Sequence, residues 1–209
     1  GRGLVFDGVT DYLFNDSFTA HQTTTGTLSA WAKLGDISGY QYIVSVGGTT
    51  TTGATRSIAF ENGSVFFAGY GANWVSSATV TADVWNHYAL TWNGTSIVLY
   101  VNGIGYSQTV SGLVTPTGTK ISIGSSAWDY GSLINATISD VKVFDATLTE
   151  AQVQELYLKP ENTPSAVQDN LVAWYPMSEG NPESPQSIVY DHSEKKLGSS
   201  IATSLTWTN

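Results

Sequence analysis

Three Asn-Gly pairs punctuate the chain between short apolar segments, at Asn62-Gly63, Asn93-Gly94 and Asn102-Gly103. Asn and Gly both tolerate positive φ, which a type I′ turn requires at its two central positions. The pairs therefore predict tight β-hairpins. The predicted hairpins join residues 57–61 to 64–70 and 87–92 to 96–101, and the last of these strands turns into 105–110.

Further short apolar segments continue this pattern along the chain. Many short strands with turns every ten or so residues are typical of a β-sandwich or jelly roll. One segment, 149–158, predicts a helix, because Thr149 and Gln152 can form a capping box ahead of a short apolar stripe. The sequence thus predicts an all-β fold: a two-sheet antiparallel β-sandwich of the jelly-roll type with one short helix. The additional predicted strands are 4–6, 12–14, 28–34, 42–46, 120–123 and 137–144.

The C-terminal part of the chain differs from the rest. Residues 160–170 are polar and contain two prolines, which predicts a linker. A tail of roughly 40 residues with two or three strands cannot bury a core of its own. We therefore expect residues 171–209 to pack on the domain formed by residues 1–159, on a partner, or on a following module. The strand-like segments of the tail are 171–175, 188–190 and, more weakly, 201–207.

Charge and composition exclude several classes of function. The 17 acidic and 8 basic residues give a net charge of -9, which argues against a protein that binds the phosphate backbone of nucleic acids. Hydrophobic residues make up 41% of the chain, which excludes a disordered acidic chain. No apolar run approaches the roughly 20 residues needed to cross a bilayer, which argues against membrane insertion. The absence of cysteine removes disulfides, thiol catalysis and Cys-ligated zinc sites.

Four motifs in the same order resemble those of a known family. They are GLVFDGVTDYL at 3–13, LSAWAK at 28–33, WNHYALTW followed by VLYVNG at 85–92 and 98–103, and ISDVKVF at 138–144. Together they resemble the motifs of laminin-G-like modules, which belong to the concanavalin A-like lectin/glucanase jelly rolls. The resemblance extends over residues 1–159 and implies a concanavalin A-like sandwich.

One further motif occurs at a different place in the chain from its usual place in the family. LVAWYP at 171–176, with VYDHS at 189–193, is similar to the segment that normally opens such a module, yet it comes last. The resemblance implies either a circularly permuted module or the start of a second copy, so residues 171–209 either complete this sandwich or open a second module. Similar trailing segments occur in phage structural proteins. This implies a virion component, such as an appendage, fibre or decoration protein, and an extracellular or virion-surface location.

The family that the motifs resemble includes glycosidases, so a carboxylate pair is the feature to look for. Retaining glycosidases need two carboxyl groups about 5 Å apart, which on one strand means alternate positions on the same face. Glu61 stands alone, and Asp140 and Asp145 are five positions apart and so face opposite ways. His87 falls within a strand motif, where a structural role is expected. The sequence therefore predicts that the protein is not an enzyme.

Three aspartates are candidates for a structural calcium site. Asp7 and Asp11 flank the tight turn at Gly8, and Asp140 lies where the resemblance places a calcium ligand near the opening strand. Calcium takes about six to eight hard oxygen ligands, and loop carbonyls would supply the remainder. We expect a bound Ca²⁺ ion to tie the opening strand to the closing one without a catalytic role. The alternative is that Asp7 and Asp11 only form Asx-turns with their own backbone.

Aromatic residues cluster in three Gly-rich loops beside amide and carboxylate groups. A flat aromatic ring can stack on a sugar ring, and the neighbouring amide and carboxylate groups can form hydrogen bonds with the sugar hydroxyls. Binding groups also tend to lie in loops. The alternative is that the rings cap the ends of the sandwich or lie in protein contacts. Trp31, Trp85 and Trp92 fall within strand motifs and are assigned to the core. The candidate ligand-binding residues are Tyr40, Tyr42, Tyr70, Asn73, Trp74, Trp128, Asp129 and Tyr130.

Two classes of function remain open from the sequence. The loop aromatics favour a module, on a surface-exposed or virion protein, that recognises a glycan or a cell-surface receptor. The trailing segment favours a purely structural subunit without a ligand, which would contact other subunits of an assembly or form a homo-oligomer. A third interpretation is a carbohydrate-binding module of a secreted glycoside hydrolase.

Overall fold

The computed structural model describes residues 3–178, 185–195 and 200–208. In these ranges the chain forms fifteen β-strands, one α-helix and one short 3-10 helix. The helices are α1 (Glu150–Leu158) and the 3-10 helix Ser165–Asn170. The strands are β1 (Gly3–Asp7), β2 (Leu13–Asn15), β3 (Thr25–Leu34), β4 (Tyr40–Gly47), β5 (Arg56–Glu61), β6 (Ser64–Phe67), β7 (Trp74–Thr79), β8 (Trp85–Asn93), β9 (Ser96–Val101), β10 (Ile104–Thr109), β11 (Lys120–Ile123), β12 (Asn135–Phe144), β13 (Leu171–Tyr175), β14 (Pro185–Val189) and β15 (Ser200–Thr208).

The strands form an antiparallel β-sandwich of two sheets. The first sheet has the order β10-β9-β8-β3-β12, and β1 and β13 both pair with the far edge of β12. The second sheet has the order β2-β11-β4-β5-β6-β7. Strand β15 pairs with β1 and with β2, so hydrogen bonding continues from one sheet to the other, and β14 pairs with β15. The predicted two-sheet jelly-roll sandwich is confirmed.

The three Asn-Gly turns join the predicted strands, but one of them differs in type. At Asn62-Gly63 and Asn102-Gly103 both residues have positive φ, between 48° and 81°, as a type I′ turn requires. Asn93 instead pairs with Ser96 and ends β8. This places Gly94, with a φ of 57°, at the first central position. The type I′ prediction is therefore wrong for this turn, which has the glycine position of a type II′ turn.

Strand alternation sends one face of each sheet into the core. On β8, Tyr88, Leu90 and Trp92 are fully buried. The ring of Phe60 on β5 meets the ring of Tyr88 edge to face, with centroids 5.1 Å apart, so aromatic packing joins the two sheets. Burying each such large apolar side chain stabilises the fold by about 1.5–3 kcal/mol. The assignment of Trp92 to the core is confirmed.

The assignment of Trp31 and Trp85 to the core is wrong. Along β3, Ala30 and Ala32 are buried between the sheets, so the intervening Trp31 lies on the opposite, outer face. Trp85 shares that outer face, because the register pairs Trp31 with His87, two residues beyond Trp85 on β8. Both tryptophans are half-buried. The strand motifs therefore place these two indoles on the outer surface of the first sheet.

Two segments differ from the sequence-based expectation. Strand β7 was not predicted, because its buried residues, Ser76 and Ala78, are too small to give an apolar alternation. The stretch 160–170, interpreted as a linker, holds the 3-10 helix, and Val167 within it is buried. Beyond that helix, β13 pairs with β12 and so extends the first sheet.

The predicted helix is confirmed as α1, with the capping box at its start. The backbone N–H of Thr149 donates to Gln152 Oε1 at 2.8 Å, and the N–H of Gln152 donates to Thr149 Oγ1 at 3.3 Å. Val153 and Leu156 pack on the outer face of the first sheet, in a small second core that includes Phe144. Within the described ranges, no helix has the length and apolarity that a membrane crossing demands.

Candidate functional site

Five of the eight predicted ligand-binding residues line one cleft on the outer face of the second sheet. The cleft has a volume of about 180 Å³, and we call it the Tyr–Trp cleft. Its floor is formed by β4 and the start of β5, and its walls by the loops that follow β6 and β11. The predicted residues are Tyr40, Tyr42, Tyr70, Asn73 and Trp128, and Thr55, Ser57 and Gly71 complete the lining.

Two tyrosines on β4 form the aromatic part of the floor. Tyr40 and Tyr42 are two positions apart and so share a face of the strand, with ring centroids 5.2 Å apart. The hydroxyl of Tyr42 donates to the hydroxyl of Tyr40 at 3.2 Å, and the Tyr40 ring lies edge-on to Phe66. Both hydroxyls are protonated at neutral pH, and burial raises their pKa further. The floor thus offers fixed rings that carry polar groups.

The walls of the cleft carry the remaining predicted residues. The rings of Tyr70 and Trp128 meet edge to face, with centroids 5.4 Å apart and an interplanar angle of 71°. Tyr70 has a left-handed backbone (φ 52°) and precedes Gly71 (φ 80°), so the loop turns sharply at the cleft. Trp128 is 40% exposed. Asn73 Oδ1 accepts from the N–H of Gly69 at 3.0 Å, and its NH₂ group has no partner among the described residues.

The loop that carries Trp128 is fixed to the second sheet. The N–H of Ala127 donates to Ser45 Oγ on β4 at 3.1 Å. Ser45 Oγ also shares a hydrogen bond of 2.7 Å with Ser57 Oγ on β5. The residue next to Trp128 is therefore tied to the same pair of strands that forms the floor. A binding group supported in this way keeps its geometry without a ligand.

The other three predicted ligand-binding residues lie outside the cleft. Trp74 begins β7 and packs against the main core. Asp129 Oδ1 accepts from the N–H of Gly131 at 2.9 Å, so this carboxylate is hydrogen-bonded within its own loop. Tyr130 stacks on Tyr12 with centroids 5.2 Å apart. The structure does not bring these residues to the Tyr–Trp cleft, because each is engaged with its own part of the chain.

Asp7 and Asp11 lie together at the turn after β1, where both carboxylate oxygens of Asp7 and one of Asp11 accept hydrogen bonds from the chain itself. Asp7 Oδ1 accepts from the N–H groups of Val9 (2.8 Å) and Thr10 (2.7 Å), and its Oδ2 accepts from the Thr10 hydroxyl (2.9 Å). Asp11 Oδ2 accepts from the N–H of Asp7 at 3.1 Å. Desolvation raises the pKa of Asp7, but the hydrogen bonds outweigh it and lower that pKa to about 2. These hydrogen bonds are the ones expected if Asp7 and Asp11 form Asx-turns with their own backbone, which is the alternative to a calcium site.

Asp140 lies apart from those two aspartates. Asp7 pairs with Asn135 on β12, and Asp140 is about 17 Å further along that strand. Asp140 Oδ2 accepts from Lys142 Nζ at 2.5 Å, and its Oδ1 accepts from Trp174 Nε1 at 2.7 Å. In the part of the chain that the structure describes, no group of three or more acidic, His or Cys side chains is placed to hold a metal ion. The three aspartates therefore do not fit a calcium ion as a set, and calcium binding stays a prediction.

A larger pocket, which sequence analysis missed, lies on the outer face of the first sheet. Its volume is about 590 Å³, and we call it the tryptophan pocket because Trp31, Trp85 and Trp174 line it. Asp140 and Glu161 also line it. The signal that could have revealed it is strand parity, which places the first two tryptophans out of phase with the core residues of their strands.

The chain belongs to the concanavalin A-like lectin/glucanases superfamily, in which the Laminin_G_3 pattern matches residues 7–154. This is the family that the ordered motifs resemble. Among curated protein sequences, none matches the chain significantly.

Two solved structures with the same fold match 99% or more of this chain, and a third matches 75% of it. A candidate carbohydrate binding protein from Bacteroides ovatus is similar with a TM-score of 0.72 and 16% identity, over 100% of this chain and 59% of that one. The native heptameric SAP-like pentraxin from Limulus polyphemus is similar with a TM-score of 0.67 and 15% identity, over 99% and 94%. The CBM40 of a Ruminococcus gnavus IT-sialidase, bound to α2,3 sialyllactose, is similar with a TM-score of 0.59 and 15% identity, over 75% and 97%. The chain thus spans 59% of the length of the Bacteroides protein.

Proposed function

We propose that this protein is a non-catalytic, lectin-like recognition module whose Tyr–Trp cleft binds one sugar ring at the end of a glycan. The observation that carries the proposal is the convergence of Tyr42, Tyr70, Asn73 and Trp128 from three separate segments on one cleft. The Trp128 ring, 40% exposed, offers a flat apolar surface for the C–H face of a sugar. The tyrosine hydroxyls and the amide of Asn73 offer hydrogen bonds to sugar hydroxyls.

The size of the cleft favours a chain end over a long oligosaccharide. Pockets for drug-sized ligands begin at about 300 Å³. The Tyr–Trp cleft, at about 180 Å³, is smaller and matches a single ring with the rest of the glycan in solvent. The polar side chains of Ser57 and Thr55 line it beside the aromatic rings, so the ring that binds meets both stacking and hydrogen-bonding groups.

The chemistry of the lining supports binding over hydrolysis. Glycosidases of the common families need two carboxyl groups that flank the scissile bond. None of the residues that line the Tyr–Trp cleft is Asp, Glu or His. Asp129, the nearest acidic residue in sequence to the wall residue Trp128, accepts hydrogen bonds within its own loop. We therefore infer recognition without catalysis.

The comparisons support this proposal through the fold. The Bacteroides ovatus protein is described as a candidate carbohydrate binding protein, and the Ruminococcus gnavus module is bound to α2,3 sialyllactose. The proposal places our protein outside the cell or on a virion surface, where glycans of a cell surface are accessible. A carbohydrate-binding module within a longer secreted glycosidase fits the same cleft.

The proposal is tested on a glycan array that carries sialylated, galactose-terminated and glucan oligosaccharides, followed by calorimetric titration of the strongest ligand. We expect Trp128→Ala to weaken binding at least tenfold, which corresponds to about 1.4 kcal/mol. Trp85→Ala is the matched control, since it removes a half-buried indole on the other sheet and should leave binding unchanged. No ligand on the array, or loss in the Trp85 variant instead, would contradict the proposal.

A structural subunit of a virion or other assembly is the second candidate function. It is favoured by the trailing segment, which resembles that of phage structural proteins, and by similarity to a pentraxin that is heptameric. Light scattering of the purified chain, taken together with the glycan array, separates the two candidates. A stable homo-oligomer with no glycan ligand would favour assembly, whereas a monomer that binds a glycan would favour recognition.

A further inference from the structure

The tryptophan pocket lies on the opposite side of the sandwich from the Tyr–Trp cleft. Its volume of about 590 Å³ falls within the range of about 300–1,000 Å³ that small-molecule sites occupy. Trp31 comes from β3, Trp85 from β8 and Trp174 from β13, so three different strands each contribute one indole. All three tryptophans are half-buried on this outer face, and none of them belongs to the main core between the two sheets.

A β-bulge in β12 builds one side of the pocket. The pairing of β12 with β3 is interrupted between Ser139 and Lys142, and Asp140 within the bulge has a φ of 52°. The N–H of Asp140 donates to the carbonyl of Pro176 at 3.1 Å, which holds the bulge in place. Bulges of this kind commonly re-aim a side chain beside a binding site. In this chain the bulge brings the carboxylate of Asp140 within 2.7 Å of Trp174 Nε1 and fixes that indole.

The charges around the pocket leave one unpaired carboxylate at its rim. Lys142 is fully buried, and its ammonium group donates to Asp140 (2.5 Å) and to the carbonyl of Pro160 (2.6 Å). The Asp140–Lys142 pair therefore carries no net charge. Glu161 lines the same pocket, is exposed, and forms no ion pair with any residue that the structure describes. No unpaired cationic side chain lines the pocket to balance it.

We propose that the tryptophan pocket binds a small organic cation of the quaternary ammonium type. Indole faces attract such a cation through the ring quadrupole, more strongly than the faces of other aromatic side chains. Because Lys142 Nζ already lies 5.1 Å from the centroid of the Trp174 ring, this attraction would come from Trp31 and Trp85. Glu161 adds a negative charge at the entrance, and the net charge of -9 draws cations toward the protein in general.

The polar groups of the pocket favour a quaternary over a primary ammonium. A primary ammonium brings three N–H donors, and each needs an acceptor when it leaves water. Both oxygens of Asp140 are already engaged, by Lys142 and Trp174, and the Ser139 hydroxyl donates to Pro176. A quaternary ammonium has no N–H group to satisfy. Glu161 at the rim is the exception, and its charge attracts any ammonium; further in, the engagement of Asp140 and Ser139 distinguishes this pocket from the Tyr–Trp cleft and argues against a sugar.

The proposal is tested by titrating the protein with tetramethylammonium chloride, using potassium chloride to keep the ionic strength constant. The readout is the indole N–H signals in a two-dimensional NMR spectrum, assigned with single tryptophan variants. We expect saturable shifts of the Trp31, Trp85 and Trp174 signals. tert-Butyl alcohol has a similar shape without the charge, and it should bind at least about fivefold more weakly. Equal binding of the neutral compound, or no saturable shift with the cation, would overturn the proposal.

Two isosteric variants separate the local charge from the overall charge. Glu161→Gln should weaken binding of tetramethylammonium several-fold. Glu150→Gln removes the same charge from an exposed position at the start of α1 that does not line the pocket, and it should leave the affinity unchanged. If both variants lost the same affinity for tetramethylammonium, the overall charge of the protein would explain the binding, and the assignment of Glu161 to the pocket would be contradicted. The Trp128→Ala variant should bind the cation normally, so this proposal can fail or succeed independently of the glycan proposal.

Discussion

The rings of Tyr70 and Trp128 meet edge to face with centroids 5.4 Å apart, although the two residues belong to different loops of the second sheet. One ring follows β6 and the other follows β11, so their contact joins the two walls of the Tyr–Trp cleft. Each ring therefore limits the positions that the other can adopt. This mutual support leads to a prediction about how the two walls are coupled.

Replacing Tyr70 and Trp128 by alanine should give non-additive losses of stability. Aromatic pairs contribute about 0.5–1.5 kcal/mol beyond their area, so the double variant should lose less than the sum of the single losses by that amount. Urea unfolding of the two single variants and the double variant measures it. The control pairs Trp128→Ala with Tyr190→Ala, an exposed residue outside the cleft, and should be additive within about 0.5 kcal/mol. Additivity in both cycles would show that the walls are independent.

The Asp140–Lys142 pair should make β12 sensitive to single substitutions. Asp140→Asn keeps an acceptor for Trp174 Nε1 but leaves the buried ammonium of Lys142 without its counter-ion. Breaking a buried pair from one side costs about 3–5 kcal/mol, whereas replacing both partners is far less costly. We therefore expect Asp140→Asn to be strongly destabilising and the addition of Lys142→Met to restore part of the loss. Chemical unfolding of both variants checks this, and a further loss in the double variant would refute it.

Strand β13 should be essential to the stability of the sandwich. It pairs with β12, and its Val172, Ala173 and Tyr175 are buried in the main core. Removing a buried aromatic side chain of this size costs about 3–5 kcal/mol, so Tyr175→Ala should lower the free energy of unfolding by that amount. Truncation after Lys159 removes all three side chains and one edge of the sheet, and it should abolish cooperative unfolding. A truncated chain that stays monomeric and fully stable would make residues 1–159 a complete domain.

Local turn chemistry and strand alternation made most of the fold predictable from the sequence. Asn62-Gly63 and Asn102-Gly103 act within a few residues, and so the hairpins they join were found at the right positions. Trp128 and Tyr70 are predictable as cleft residues because both aromatic rings lie near glycine or serine in loops, although the same pattern also selects Tyr130, which stacks on Tyr12 instead. Strand β7 escapes prediction because its own buried residues are small, whereas the other missed features depend on distant parts of the chain.

The tryptophan pocket is the clearest example of such a distant dependence. Strand parity places Trp31 on the face opposite Ala30 and Ala32, but parity alone does not say which of the two faces the second sheet covers. Large apolar residues usually take the buried face, which is why the core was the expectation. Asp140 is a similar case, because its tryptophan partner lies on β13, 34 residues further along the chain. No pattern within β12 indicates that its carboxylate would hold Trp174.

Calcium should leave the thermal unfolding midpoint unchanged, because both carboxylate oxygens of Asp7 and of Asp140, and one of Asp11, accept from donors of the chain. The sequence alone predicts a bound calcium ion, and so a higher midpoint in the presence of calcium. An ion at about a hundredfold excess over its Kd would stabilise the fold by about 2.7 kcal/mol, which raises the midpoint of a chain of this length by roughly 5–10 °C. Calorimetric scans in millimolar calcium and in EDTA distinguish the two expectations. A rise of that size, abolished by Asp7→Asn, would restore the predicted calcium site.

Acidification below pH 6.5 should destabilise the protein through two buried histidines. Burial, with a contribution from the charge of Arg56, lowers the pKa of His21 from 6.5 to about 4. Burial, with a contribution from Lys142, lowers the pKa of His87 from 6.5 to about 3. Between those values and about 6.5 the unfolded chain binds protons that the folded chain does not. The free energy of unfolding should therefore fall as the pH falls, by up to about 1.4 kcal/mol per pH unit for each histidine.

Urea unfolding at pH 7, 6 and 5 measures this slope, and His87→Gln should remove about half of it. The glutamine amide can still bond the hydroxyl of Ser29, which shares a hydrogen bond of 2.9 Å with His87 Nε2. The pH dependence, and not the absolute stability, is the quantity to compare, because the substitution itself has a cost in the core. His192→Gln is the control, since that histidine is exposed. An unchanged slope in the His87 variant would mean that this imidazole takes up its proton in the folded state as readily as in the unfolded one, and the burial argument would then be wrong.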